Sequence, residues 1–268
     1  MSLHGAIAAA VTPLTEGGHV IDEEAVPKLL AFLAEGGLDG ALLGGTTGEG
    51  ILLSADERCR LTELALDGRP AGFQIAVHAG AQTTADTVAI SAHARERGAD
   101  AVAVIGPPYF ALDEEELFRH FRSAADACSP VPFYVYEFQA RTGYAVPVSV
   151  VKRLREHAPN LHGMKVSDRP IEAVEPYLGL DGLDVFIGSE PLVLADGARA
   201  IGAVSALASA FPDLVARLVH ERMPRRTSVE AIRAAMGSTS TPAWAVKAML
   251  VARGVLTGDA LRSRRCVP

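Results

Sequence analysis

A lysine stands inside the apolar run Leu161-His162-Gly163-Met164-Lys165-Val166-Ser167, in a chain with four lysines (Lys28, Lys152, Lys165, Lys247) against twenty-one arginines. Either residue supplies a surface charge, but only lysine can shed its proton and act as an amine nucleophile. Burial in an apolar strand disfavours the ammonium form by desolvation, and a desolvated amine is the starting point for Schiff-base chemistry on a carbonyl compound. The competing reading is a strand-end lysine whose stem lies along apolar surface while its ammonium reaches water.

Other reactive side chains punctuate the chain. Thr46 and Thr47 lie in Gly44-Gly45-Thr46-Thr47-Gly48-Glu49, where hydroxyls combine with a glycine-flanked backbone whose N–H groups can point at an anion. The loop lacks the lysine and spacing of a phosphate-binding loop, so a small carboxylate fits it better than a nucleotide phosphate. A tight turn that needs glycine for its backbone angles is the alternative. In Phe133-Tyr134-Val135-Tyr136-Glu137-Phe138 the period of two puts Tyr134 and Tyr136 on one face. There the Tyr136 hydroxyl can exchange protons beside the lysine of the next strand, or simply be satisfied as a core aromatic. Arg141, in Ala140-Arg141-Thr142-Gly143, can hold a carboxylate by a bidentate pair or stand as a surface arginine. His78 ends an apolar strand and can touch a substrate tail. His93, His120, His157 and His220 fall on helical patterns, are expected at the surface or partly buried, and lack the i,i+4 pairing of a metal site.

The elements that must position these groups alternate regularly. Strands are expected over 5–11, 40–45, 73–77, 101–105, 131–138, 161–166, 184–187 and 203–207. Helices are expected after Asp22 as far as Gly36-Gly37, after the Ser54/Glu57 capping box, over 83–97, 113–128 and 147–157, and more weakly over 170–178. Apolar strands alternating with amphipathic helices imply a parallel sheet covered on its faces. Roughly eight such units in unbroken alternation predict an α/β chain folded as a (β/α)8 TIM barrel. An open doubly wound sheet is the alternative; it would favour a G-x-G-x-x-G signature after the first strand, which is missing. The catalytic barrel is expected over 1–222, with a polar linker over 223–228 and appended helices over 229–236 and 242–253 forming a C-terminal helical extension over 223–268. Sites in such barrels lie at the C-terminal strand ends, here Thr12, Thr46-Thr47, His78, Tyr109, Tyr136, Lys165, Gly188-Ser189 and Ser205.

Composition narrows the class. With 268 residues, 49% hydrophobic and 21% charged, the chain fits a soluble globular protein with a sizeable core. A formal net charge of −7 argues against nucleic-acid and anionic-membrane partners. Cys59, Cys128 and Cys266 are odd in number, widely spaced and without metal-ligand spacing, as expected of free thiols in a reducing compartment. No signal-like start and no membrane-length apolar run is present, so the expected location is cytoplasmic.

Seven segments then come together: Val11-Thr12-Pro13, Gly45-Thr46-Thr47-Gly48-Glu49, Tyr136-x-x-x-x-Arg141-Thr142-Gly143, Gly163-Met164-Lys165, Phe186-Ile187-Gly188-Ser189, Gly202-Ala203-Val204-Ser205 and Val246-Lys247-Ala248-Met249. In this order the chain resembles the dihydrodipicolinate synthase and N-acetylneuraminate lyase family of pyruvate-dependent class I aldolases. The resemblance implies that Lys165 forms a Schiff base with the keto carbon of pyruvate or a related 2-oxo acid. It implies that Thr46 and Thr47 bind the carboxylate, that Gly188 and Val204 belong to the same substrate site, that Tyr136 relays protons, and that Arg141 holds an acidic second substrate. It also implies a homo-oligomer, tetramer or dimer, and a small-molecule aldehyde partner. No metal and no cofactor are expected, because an iminium by itself makes the neighbouring carbon acidic.

The departures mark specificity. Phe110 stands where the synthases carry a second tyrosine of a relay across a subunit interface, Glu137 where an asparagine follows the tyrosine, Val166 where an aspartate follows the lysine, and His78 where a small residue is frequent. His78, Phe110 and Glu137 are therefore the candidate specificity positions. The C-terminal helices are shorter than is typical of the family, which bears on assembly. The expected function is a Schiff-base-forming lyase or aldolase of dihydrodipicolinate synthase-like type. The alternatives are a dehydratase of a 2-oxo sugar acid and a catalytically silent 2-oxo-acid-binding paralogue.

Overall fold

Apolar runs bounded by glycine, proline or a capping residue become strands, and the amphipathic stretches between them become helices. The computed structural model describes residues 2–168, 170–188, 200–221 and 243–257. The chain forms two compact units, one of Met1–His4 with Ala76–Ala203, the other of Gly5–Ile75 with Val204–Pro268.

The second of these units starts with β1 (Gly5–Ala9), followed by a hairpin of β2 (Leu14–Thr15) and β3 (Val20–Ile21) that the sequence reading did not anticipate. Two-residue strands carry too little periodicity to be seen in sequence. Helix α1 (Ala25–Glu35) buries Val26, Leu29, Leu30 and Leu33, the spacing of one helical face, and ends at Gly36-Gly37. Gly36 is required there, because a Cβ would run into the ring of Pro212. Strand β4 (Gly40–Leu43) lies parallel to β1, with Ile7 opposite Gly40. Helix α2 (Ala55–Asp67) opens with the expected capping box: Ser54 Oγ accepts from Glu57 N at 3.2 Å, and Ser54 N donates to Glu57 Oε2 at 2.7 Å. Such a cap is worth about 1 kcal/mol.

The next strand is β5 (Gln74–His78), and the remaining elements of the first unit are α3 (Thr84–Glu96), β6 (Ala101–Ile105), α4 (Glu114–Cys128), β7 (Phe133–Glu137), α5 (Gln139–Thr142), α6 (Val148–His157), β8 (Leu161–Val166), α7 (Glu175–Leu178) and β9 (Asp184–Ile187). Then come β10 (Gly202–Ser205), α8 (Ala206–Ala210), α9 (Pro212–His220) and α10 (Ala243–Ala252). The strand order is β1-β10-β9-β8-β7-β6-β5-β4, closing on itself. Eight parallel strands with intervening helices make this a (β/α)8 barrel.

Several local expectations are corrected. The last strand stops at Ser205 instead of 207, because the Ser205 hydroxyl accepts from Ala208 N at 3.2 Å and turns the chain into α8. The seventh begins at Phe133, because Val131 N donates to Cys128 O in a turn. The weak helix over 170–178 splits into a 3-10 turn, Ile171–Ala173, and α7. His120, expected at the surface or partly buried, is fully buried at 1% exposed. It lies on the face of α4 that also buries Leu117, Phe121 and Ala124, and its Nδ1 is 2.9 Å from Thr84 Oγ1. The appended helix expected over 242–253 is α10. The linker over 223–228, the helix over 229–236, the proposed boundary at 222/223, Ser189 and Cys266 lie outside the described residues. Among the described residues, Cys59 and Cys128 are free thiols, and no helix is long and apolar enough to cross a membrane.

Candidate active site

Lys165 and Tyr136 occupy facing positions of β8 and β7 in a parallel register, Tyr134 opposite Gly163 and Tyr136 opposite Lys165. The Lys165 Nζ lies 3.7 Å from the centroid of the Tyr136 ring, and the two residues are 6% and 1% exposed. Among the described residues no carboxylate pairs with Lys165. The buried His78, at the end of β5, meets the Tyr136 ring edge-on at 5.7 Å between centroids. Tyr134, on the same face as Tyr136, has its hydroxyl engaged by Leu3 N at 3.1 Å, and burial raises its pKa.

Glu137 follows Tyr136 and so presents to the opposite face of the strand. It is 2% exposed; its Oε2 accepts from Val146 N at 2.8 Å, and it hydrogen-bonds Asp168. Burial first, then the neighbouring Asp168, pushes the Glu137 carboxyl up to about 8. Asp168 in turn accepts from Gln139 N at 2.7 Å and Ala140 N at 3.3 Å. The two carboxyl groups therefore fasten both ends of the segment that carries Arg141, which is exposed with its guanidinium carbon 5.7 Å from the Phe138 ring centroid. Glu137 thus holds this segment through Val146 N and Asp168, on the side of the strand away from Tyr136. Asp168 was missed in the sequence; nothing in its local spacing distinguishes it.

Phe110 is 73% exposed and meets the 86% exposed Tyr109 edge-on at 4.8 Å. Tyr109 has a left-handed backbone, φ +82°, unusual for an aromatic residue. Gly188 donates its N–H to Val166 O at 2.8 Å and lies so close to Ser167 that no Cβ could be accommodated.

In the other unit the threonine loop follows β4. Thr46 is exposed and Thr47 buried at 8%. Thr12 Oγ1 donates to Gly48 O at 2.6 Å, so this strand-end threonine braces the loop. Glu49 adopts the left-handed conformation, φ 56° and ψ 24°, which costs a non-glycine residue roughly 1 kcal/mol. Its carboxylate is met by Lys247 of α10 at 2.8 Å, in a pair whose side chains are 4% and 5% exposed. Sequence reasoning used Lys247 only as part of a matching segment; its rarity in an apolar stretch was the available signal. Val204 is buried on β10, and Ser205, placed among the strand-end candidates, serves as the cap of α8. Among the described residues no group of three or more His, Cys, Asp or Glu side chains is arranged to hold a metal ion.

A buried amine at a barrel strand end, faced by a tyrosine and without a carboxylate partner among the described residues, is an arrangement that Schiff-base chemistry can use. The family model described as the dihydrodipicolinate synthetase family matches residues 2–235, and the chain belongs to that family. It is 34% identical over 272 residues to a DapA-like lyase of Chloroflexus aurantiacus, covering 96% of this chain and 89% of that protein. It is 32% identical over 212 residues to the 4-hydroxy-tetrahydrodipicolinate synthase of Syntrophus aciditrophicus, covering 77% and 72%. Among solved structures, the N-acetylneuraminate lyase of Proteus mirabilis superposes with a TM-score of 0.86 at 25% identity, covering 100% of this chain and 93% of that one. The chain is thus an enzyme, a lyase of the class I aldolase type, and these likenesses favour neither a dehydratase nor a silent binding protein.

Proposed function

We propose that this lyase acts on pyruvate or a closely related 2-oxo acid through Lys165, with the family's Thr46-Thr47 loop taking the carboxylate. The observation that carries the reading is the Lys165 amine, buried and held 3.7 Å over the Tyr136 ring without a carboxylate partner among the described residues. The neutral amine adds to the keto carbon, and loss of water from the carbinolamine leaves an iminium. The iminium draws electrons from the adjacent carbon, which gives up a proton to become an enamine nucleophile. Addition of the enamine to an aldehyde forms the carbon-carbon bond, the reverse breaks it, and hydrolysis restores the amine. Tyr136 moves the protons of carbinolamine formation and collapse, and Arg141 receives an acidic group of the second substrate. Nothing beyond the covalent Schiff base is called for as a cofactor. A homo-oligomer in the cytoplasm completes the reading.

The test is exchange of the pyruvate methyl protons in deuterium oxide, followed by proton NMR. The wild-type protein should catalyse exchange without any second substrate, and Lys165→Arg should not. Exchange that survives in folded Lys165→Arg protein would refute the reading.

A further inference from the structure

The buried ion pair between α10 and the threonine loop has no place in the bond-making steps. Its two side chains are almost fully removed from water, and the Lys247 Nζ donates to Glu49 Oε1 at 2.8 Å. Two buried charges are a poor way to gain stability, since well-packed apolar residues often serve as well or better. Fixed direction is what such a pair adds. The residue it fixes is also the strained one, Glu49 with φ 56°, in a loop already pinned from other sides. The Glu49 N–H donates to Thr46 O at 3.3 Å, Gly50 N–H to Gly45 O at 3.2 Å, and Thr12 Oγ1 to Gly48 O at 2.6 Å. A Cβ at Gly50 would collide with the Gly44 carbonyl, and one at Gly48 would press on the Ala10 carbonyl oxygen and crowd the Gly44 backbone. The loop is therefore folded tightly on itself, and its one long charged side chain is tethered to a helix 198 residues away.

We propose that Lys247 is a positioning residue for substrate: by holding Glu49 it sets the backbone and hydroxyls of Thr46-Thr47 in the conformation that receives the substrate carboxylate. This rests on the reading of the loop given under Proposed function. The C-terminal helix thereby becomes part of substrate binding without touching substrate.

The experiment measures pyruvate methyl exchange against pyruvate concentration for wild type, Lys247→Met and the double variant Glu49→Gln/Lys247→Met, with thermal melting of each. The double variant removes both charges of the pair together, so it reports if the single variant fails to fold. The half-saturating pyruvate concentration is expected to rise at least about tenfold in the folded variants, with maximal exchange changed by no more than about threefold, the signature of lost ground-state binding. Half-saturation within about twofold of wild type in a folded variant would overturn the proposal. Failure of both variants to fold would overturn it too, by making the pair a folding device. Absence of exchange in the wild type would instead remove the reading of the site on which the proposal stands.

Discussion

Lys165 and Tyr136 sit directly opposite each other on adjacent parallel strands, the lysine nitrogen 3.7 Å above the centre of the tyrosine ring. The register sets the two residues opposite each other, and both side chains are buried. The ring thus meets the amine with its face, and under the proposed function the hydroxyl carries the proton transfer.

Separating those two roles gives the first prediction. Tyr136→Phe keeps the ring and deletes the hydroxyl, whereas Tyr136→Leu removes both. Turnover in Tyr136→Phe should fall about 10²-fold or more, the usual weight of a positioned acid-base group. Melting temperature should stay close to wild type in Tyr136→Phe and drop in Tyr136→Leu, where a buried ring is lost. Full turnover in Tyr136→Phe would remove the hydroxyl from the mechanism.

The second prediction concerns the carboxyl pair behind the site. Glu137 is raised in the folded protein to about 8, above its ordinary value of 4.5, so the native state holds a proton that the unfolded chain gives up. Its contribution is fully present below about 4.5 and is lost as pH rises through 8. Glu137→Gln keeps a donor for Asp168 and an acceptor for the Val146 N–H at every pH. Denaturant melts should therefore show this variant near wild type at pH 5 and more stable than wild type at pH 9. Equal stability at both would show that Glu137 is not protonated in the fold.

His120 supplies a third, with the opposite sign. Burial pulls its imidazole down to about 4 from 6.5, so the unfolded chain takes up a proton that the native state refuses. Stability is whole above 6.5 and falls as pH drops towards 4, by up to about 3 kcal/mol. His120→Gln should flatten the stability profile across that window, measured as the difference from wild type. An unchanged slope would place the acid sensitivity elsewhere.

A fourth prediction separates substrate holding from chemistry. Arg141 is exposed, and its segment is fastened at both ends by Asp168 and Glu137. Arg141→Ala should leave pyruvate methyl exchange unchanged and raise KM for an acidic second substrate about tenfold or more, as expected for a lost charge-assisted pair. A matching loss in methyl exchange would assign Arg141 to pyruvate instead.

The barrel was legible because each strand is a short apolar run and each helix carries one apolar stripe, signals that survive in sequence without any partner. Lys165 was legible because so few lysines occur and this one sits in such a run. The β2-β3 hairpin was not, since two residues cannot show a period. Pairings across the chain were equally hidden. Asp168 reaches the segment after β7, and Lys247 reaches Glu49 across 198 residues, contacts that only the fold brings together. His120 was misplaced because a histidine among Arg119, Phe121 and Arg122 reads as surface, while the helix face it shares with Leu117 and Ala124 is the buried one.

The most direct test of the central claim is borohydride reduction of the protein with and without pyruvate, followed by peptide mapping of all four lysines. A pyruvate-dependent adduct is expected on Lys165, with Lys28, Lys152 and Lys247 unmodified. An adduct on another lysine, or none under conditions where the protein is folded, would contradict it.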